Sequence, residues 1–247
     1  MIRILTYSGS HTVNKLGFTT STWMTGRVED FRNDVIIRWG NASLSVDRFG
    51  QRTDFRNVLN PAQAVIANMN KPTAHDILSK VVATPRMFRK YTPDRGLFVV
   101  RPYSHQEGNG FKVVEAKGQS IRLQEGWQYA TEFIRTDAEY RVWFIGDRTI
   151  RARRTRTDEQ QCETFPRFPC RSKWGYVFCK EMPQGLHNQT IKAAKAIGLD
   201  CGAADILLAN GTWYFLELNS APSADLGILQ RWMRESIRSV CYKKLGV

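Results

Sequence analysis

Hydrophobic positions along this chain fall mostly in short alternating runs, interrupted by a few stretches of helical period. Residues 2–7 and 35–39 predict strands, and the polar stretch 41–56 predicts an irregular connection. Asn60-Pro61 has the form of an N-cap followed by a first-turn proline, opening a helix through about residue 68. Lys71-Pro72 begins a second helix, with Ile77, Leu78 and Val81 on its buried side. A strand follows near 86–90, then the apolar run 97–100, closed by Arg101-Pro102. After a flexible loop at 105–110, residues 111–115 return as its partner. Strands are expected near 128–134 and 139–146, with Gly146-Asp147 turning the chain into 148–155. Residues 157–175 read as loop and 188–197 as helix. Ser223 predicts the cap of a last helix, striped by Leu226, Leu229, Trp232, Met233, Ile237, Val240 and Cys241. Strands and helices alternate without a strict βαβ rhythm, so the fold class is α+β.

The stretch 203–222 carries the most chemistry. It predicts two strands joined around Ala209-Asn210-Gly211, with Asp205 opening the first and Glu217 and Asn219 closing the second. Glu217 and Asn219 share a face by alternation. Three oxygen side chains suit a hard divalent cation, whereas an ordinary hairpin would leave the same charges in water. Parity separates the two. A two-residue Asn-Gly turn pairs 205 with 216 and turns Asp205 away; a three-residue loop with Gly211 left-handed pairs 205 with 215 and brings all three oxygens together. Convergence on a metal therefore predicts the three-residue loop.

Composition narrows the class. No run of eighteen apolar residues suggests a membrane span, and the N-terminus reads as a first strand rather than a signal peptide. Five cysteines, an odd number without a Cys-x-x-Cys pair, suit a reducing compartment, and the expectation is a cytoplasmic protein. The excess of 36 basic over 23 acidic residues gives a net charge of +13, which points to an anionic partner: nucleic acid, an acidic peptide or a polyphosphorylated small molecule. Much of it lies in residues 148–156 and near the C-terminal end. His11, His75, His105 and His187 show no ligand spacing, and neither a Gly-x-Ser-x-Gly elbow nor a Walker-type phosphate loop occurs.

Asp205, Glu217 twelve residues on and Asn219 two further, followed by Ser220-Ala221-Pro222, resemble the metal-binding end of ATP-grasp enzymes. The likeness is to the glutamate-ligase-like branch that modifies a ribosomal protein, which the approach from Lys195 through Asp200 to Asp205 also resembles. Short ATP-grasp proteins of tailed bacteriophages are more similar still, which would place the protein in a host cytoplasm. The resemblance covers roughly residues 58–225.

It implies two α+β lobes clasping a nucleotide behind a shortened leading domain, divided as 1–69, 70–131 and 132–247. It implies ATP and Mg²⁺, with Mn²⁺ as an alternative metal, held by Asp205, Glu217 and Asn219. Lys71, Arg101 and the amides of Gly108, Asn109 and Gly110 would hold phosphates. Arg101 stands where lysine is usual, so a planar fork replaces a point charge. Glu132, Phe133 and Ile134 would form the adenine hinge and Glu139 would meet the ribose. Arg141, Arg154 and Arg156 would stand near the γ-phosphate and a carboxylate substrate; strand alternation puts Arg154 and Arg156 on one face and Arg153 on the other. The implied reaction is carboxylate–amine ligation on a small molecule or peptide, through an acyl-phosphate. A phosphotransferase, a catalytically silent nucleotide-binding module and a nucleic-acid-binding or nucleic-acid-modifying protein stay open. Selectivity is expected in residues 8–57 and 157–185, the parts least like the family.

Overall fold

The computed structural model describes residues 1–6, 11–21, 34–42, 57–102, 111–124, 128–156 and 174–246. Across these, strands form three sheets. The first joins β1 (Ile2–Thr6), β2 (Thr19–Ser21), β3 (Val35–Trp39) and β4 (Val58–Leu59) in the order β2-β1-β3-β4, with the short helix α1 (His11–Lys15) between β1 and β2. Every pairing in it is parallel. Parallel strands are covered on both faces, which is why β3 is buried at all five positions, Arg38 included. This parallel unit is a departure from the expected lack of βαβ order. It follows from strands too short, and connections too polar, for a periodic signal.

The second sheet is antiparallel and small: β5 (Met87–Phe88), β6 (Arg95–Arg101), β7 (Lys112–Lys117) and β8 (Tyr129–Glu132), ordered β5-β8-β6-β7. Phe98, Val100, Ala116, Leu123 and Ala130 make its core.

The third sheet, ordered β11-β10-β9-β12-β13, contains β9 (Ala138–Ile145), β10 (Arg148–Arg156), β11 (Trp174–Phe178), β12 (Cys201–Ala209) and β13 (Thr212–Asn219). One face places Val142, Phe144, Ile206, Phe215 and Leu218 under α2 (Ala62–Met69), α3 (Lys71–Leu78) and α4 (Gln184–Ile197). On the opposite face, Trp143, Ile145 and Ala203 pack with the first sheet and with α5 (Gly227–Leu245). Beyond that packed half, the same face carries polar side chains, and the candidate site lies there.

Four local expectations need correction. Asn60 is not a helix cap: Pro61 holds that position. Asn60 is instead fully buried with a left-handed backbone, φ 56°. Its carboxamide oxygen accepts from the Asp200 and Cys201 amides at 2.8 and 3.0 Å. Its nitrogen donates to the Arg38 and Cys201 carbonyls at 3.1 and 2.9 Å. One side chain thus staples the first sheet to the third, a long-range role that a local cap motif cannot reveal. Ser223 does not cap α5 either, which starts after Leu226; the Ser223 carbonyl accepts the Trp143 indole N–H at 3.2 Å. Helix α4 starts at Gln184, four residues early, because Gln184, Gly185, Leu186 and His187 give no strong helical period. β11 lies partly in the stretch 157–175 expected as loop, where Gly175 interrupts the apolar alternation; it pairs with β10 from Arg156 to Ala152.

Candidate active site

The hairpin of β12 and β13 settles the parity question by a route the sequence did not suggest. Its turn is the two-residue kind: Ala209 pairs with Thr212, and Asn210 and Gly211 both have positive φ, 48° and 74°. Such a turn matches the natural strand twist and favours Asn-Gly. The expected three-residue loop is absent. The register runs evenly to Ile206 opposite Phe215 and then shifts, so Asp205 stands opposite Glu217 and Ala203 opposite Asn219. Leu216 is the unpaired residue of a β-bulge. This extra residue reverses the parity that the turn alone would impose, and Asp205, Glu217 and Asn219 share one face after all. Next to them, Gly202 admits no side chain: a Cβ there would lie 2.6 Å from the Asn219 carbonyl oxygen and 2.9 Å from Phe144.

Arg141 stands directly across β9 from Asp205. Its Nε and Nη2 donate to Oδ1 and Oδ2 of Asp205 at 2.6 and 2.7 Å, a two-point grip on a largely buried carboxylate. Burial pushes the Asp205 carboxyl up; Arg141, with Arg154 and Lys71, outweighs it and holds the group below its ordinary range. Burial likewise works against the Arg141 charge, and Asp205 more than restores it. Two of the three Arg141 guanidinium nitrogens are thus committed to Asp205. Tyr176, on β11, lies with its ring 5.7 Å from the guanidinium of Arg141.

Glu217 meets its cation from another element. Lys71, the first residue of α3, places Nζ 3.0 Å from Oε2 of Glu217. Asn70 caps this helix by accepting from the Thr73 amide at 3.1 Å, which fixes where Lys71 leaves the backbone. Asn219 turns its Oδ1 to the Ala221 amide at 2.9 Å.

Arg101, at the end of β6, faces the same cleft. Its guanidinium lies 4.5 Å from the Phe111 ring centre and 5.9 Å from that of Tyr129, and it donates to Thr131 Oγ1 at 3.2 Å. Its Nε is buried with no partner among the described residues. Aromatic rings this near favour a cation, and arginine makes such contacts more often than lysine. Lys71, Arg101, Tyr129, Thr131, His75, Leu216 and Glu217 line one narrow cavity of about 20 Å³, room for a water molecule. His75 there is held neutral-leaning: burial lowers its pKa, against a hydrogen bond of 2.7 Å to the Pro85 carbonyl.

Glu132 and Phe133 spend their amides on the carbonyls of Arg86 and Leu97, both at 2.9 Å. The Glu132 carboxylate accepts from Arg86 Nε at 3.0 Å. Ile134 follows directly at the crossing from the second sheet to the third. Glu139 lies on the polar face of β9, with Arg154 Nη1 3.8 Å away. Arg153 is exposed on the opposite face, as alternation requires. Gly108, Asn109 and Gly110 lie outside the described residues, as does the side chain of Arg156. The structure thus gathers Lys71, Arg101, Glu139, Arg141, Arg154, Asp205, Glu217 and Asn219 around one cleft between the second and third sheets. His75, Tyr129, Thr131 and Leu216 are not site candidates in the sequence; all are of ordinary core or surface types, and only the sheet order brings them here, whereas Tyr176 falls in the segment 157–185 where selectivity is expected.

Solved structures align with nearly the full length of the chain. The ATP-grasp ligase PsnB, complexed with minimal precursor, Mg and ADP, covers 97% of both chains at a TM-score of 0.64 and 15% identity. D-alanine–D-alanine ligase from Bacillus anthracis aligns over 99% of this chain and 98% of its own, at 0.62 and 12%. The fold is ATP-grasp. The macrocyclase MdnC, bound with precursor peptide MdnA from Microcystis aeruginosa MRC, extends the ATP-grasp likeness at 0.60 and 13%, over 98% and 99% of the two chains. No family model matches the chain, and no curated protein matches it by sequence. In this fold the three oxygen donors on one face, two of them carboxylates, are of the type that a hard divalent cation takes. Among the described residues, no helix is long and apolar enough to cross a membrane.

Proposed function

We propose that the chain is an ATP- and Mg²⁺-dependent ligase that joins a carboxylate to an amine. The observation that carries this reading is the bulged hairpin, which brings Asp205, Glu217 and Asn219 to one face opposite Lys71 and Arg101. Asp205, Glu217 and Asn219 would hold Mg²⁺, and that ion would neutralise charge between the terminal phosphates. Arg141 fixes the rotamer of Asp205. Arg101, with the Phe111 and Tyr129 rings nearby, would present a cation to the phosphates. Ile134 offers its amide to the adenine edge, and Glu139 can accept from ribose hydroxyls. Arg154 stands where it can meet a carboxylate substrate. That carboxylate takes the terminal phosphoryl group, releasing ADP, and the amine then displaces phosphate to form the amide. The work is positioning and electrostatics, and no side-chain nucleophile is required.

Peptides are the substrate class we favour. PsnB and MdnC were solved with precursor peptides, and the residues around Asp205 resemble the branch that modifies a ribosomal protein. The division into segments 1–69, 70–131 and 132–247, the phage kinship and a cytoplasmic location belong to the same proposal.

The test is calorimetric titration with ATP, with and without Mg²⁺, on wild type and on Asp205→Asn/Glu217→Gln. Mg²⁺-dependent binding in wild type and its loss in the double variant is the expected result. Absence of nucleotide binding in both proteins would overturn the ligase reading.

A further inference from the structure

Both carboxylates of the proposed metal site are matched by cations of the chain itself, and the two are held differently. Arg141 grips Asp205 through two bonds from the neighbouring strand, with 14% of its side chain exposed. Lys71 reaches Glu217 by one contact of 3.0 Å, from a different element, along a flexible stem. It also lines the cavity beside Arg101, the side from which phosphates would approach. Arg141 is a fixed partner; Lys71 is an exchangeable one.

We propose that Lys71 withholds Glu217 from divalent cations until a nucleotide enters, so that metal and nucleotide bind cooperatively through this one lysine. The inference rests on the metal-site reading above. An incoming dication at Glu217 must break the ion pair and meet the repulsion of an ammonium at close range. Phosphate oxygens entering beside Arg101 give that ammonium another anionic partner within reach of the same stem. Lys71 and Arg101 line the same cavity, so an anion drawn to Arg101 comes within reach of the Lys71 stem. Coupling of this kind is reciprocal: whatever the nucleotide does to metal affinity, the metal does to nucleotide affinity.

Mn²⁺ serves as the probe, with free Mn²⁺ read by electron paramagnetic resonance, with and without ADP, and folding checked by circular dichroism. Wild type should bind Mn²⁺ weakly alone and at least about tenfold more tightly with ADP. Lys71→Met should bind Mn²⁺ alone about tenfold more tightly than wild type and lose most of the ADP effect. Lys71→Arg, which keeps the charge, should stay weak. Unchanged metal-only affinity in Lys71→Met, or equal tightening in Lys71→Arg, would overturn the proposal. If Glu217→Gln leaves Mn²⁺ binding with ADP intact, the metal-site reading itself fails, a separate outcome.

Discussion

Asp205 shows how a single residue joins stability to chemistry. Its carboxyl is held below the ordinary range, so it contributes stability at pH values above about 4, and that contribution is lost as pH falls through its lowered value. Asp205→Asn leaves Arg141 buried without its counter-charge and should cost about 3 kcal/mol or more in denaturant unfolding. A cost near zero would show that water, and not Asp205, satisfies Arg141. His75 has the same sign for a different reason. Burial lowers its pKa, so its contribution is full above about 6.5 and declines as pH drops toward the lowered value. A thermal midpoint followed from pH 7.5 to 5 should fall in wild type and fall less in His75→Gln. Arg101→Ala should weaken ATP binding about tenfold or more, since it removes a charged donor, while the exposed Arg153→Ala on the other face stays near wild type. Equal effects would remove Arg101 from the phosphate site. Residue types and their spacing made Asp205, Glu217 and Asn219 legible in the sequence. Tyr129, Thr131 and His75 were not legible, because nothing local distinguishes a cavity wall from any half-buried position.

Elements succeed or fail here by how they meet. The apolar run 97–100 and the strand pattern of 139–146 made β6 and β9 readable, and Lys71-Pro72 marked the start of α3. The parallel order of the first sheet was not readable, since β2 and β4, at three and two residues, carry no period. Asn60 was seen as a local signal although its partners lie 140 and 141 residues on. Asn60→Ala removes a buried set of hydrogen bonds and should lower unfolding stability by about 3 kcal/mol. Asn60→Gly, which relieves only the left-handed backbone, should recover little of it. Rescue by glycine would mean that backbone strain, rather than the staple, dominates that site.

For the whole molecule, Lys71 from α3 meets Glu217 from the third sheet beside Arg101 from the second, so a nucleotide bound there would touch both sheets. Saturating Mg²⁺ and ADP should raise the melting temperature of wild type by several degrees, because a ligand at 100 times its Kd adds about 2.7 kcal/mol. The Asp205→Asn/Glu217→Gln protein should show no such shift; an equal shift would place the metal elsewhere. The +13 charge, read at first as a sign of partners, is spent in part inside this cleft on Lys71, Arg101, Arg141 and Arg154. Chain length obeys a rule of its own at the hairpin. Between Thr212 and Glu217 the strand holds one residue more than its neighbour can pair. A single deletion in that stretch would absorb the bulge and still leave Glu217 facing Asp205. A single insertion would turn Glu217 toward the hydrophobic layer. This hairpin can afford to shrink by one residue but not to grow by one, and engineered length variants assayed for Mn²⁺ binding should divide along that line.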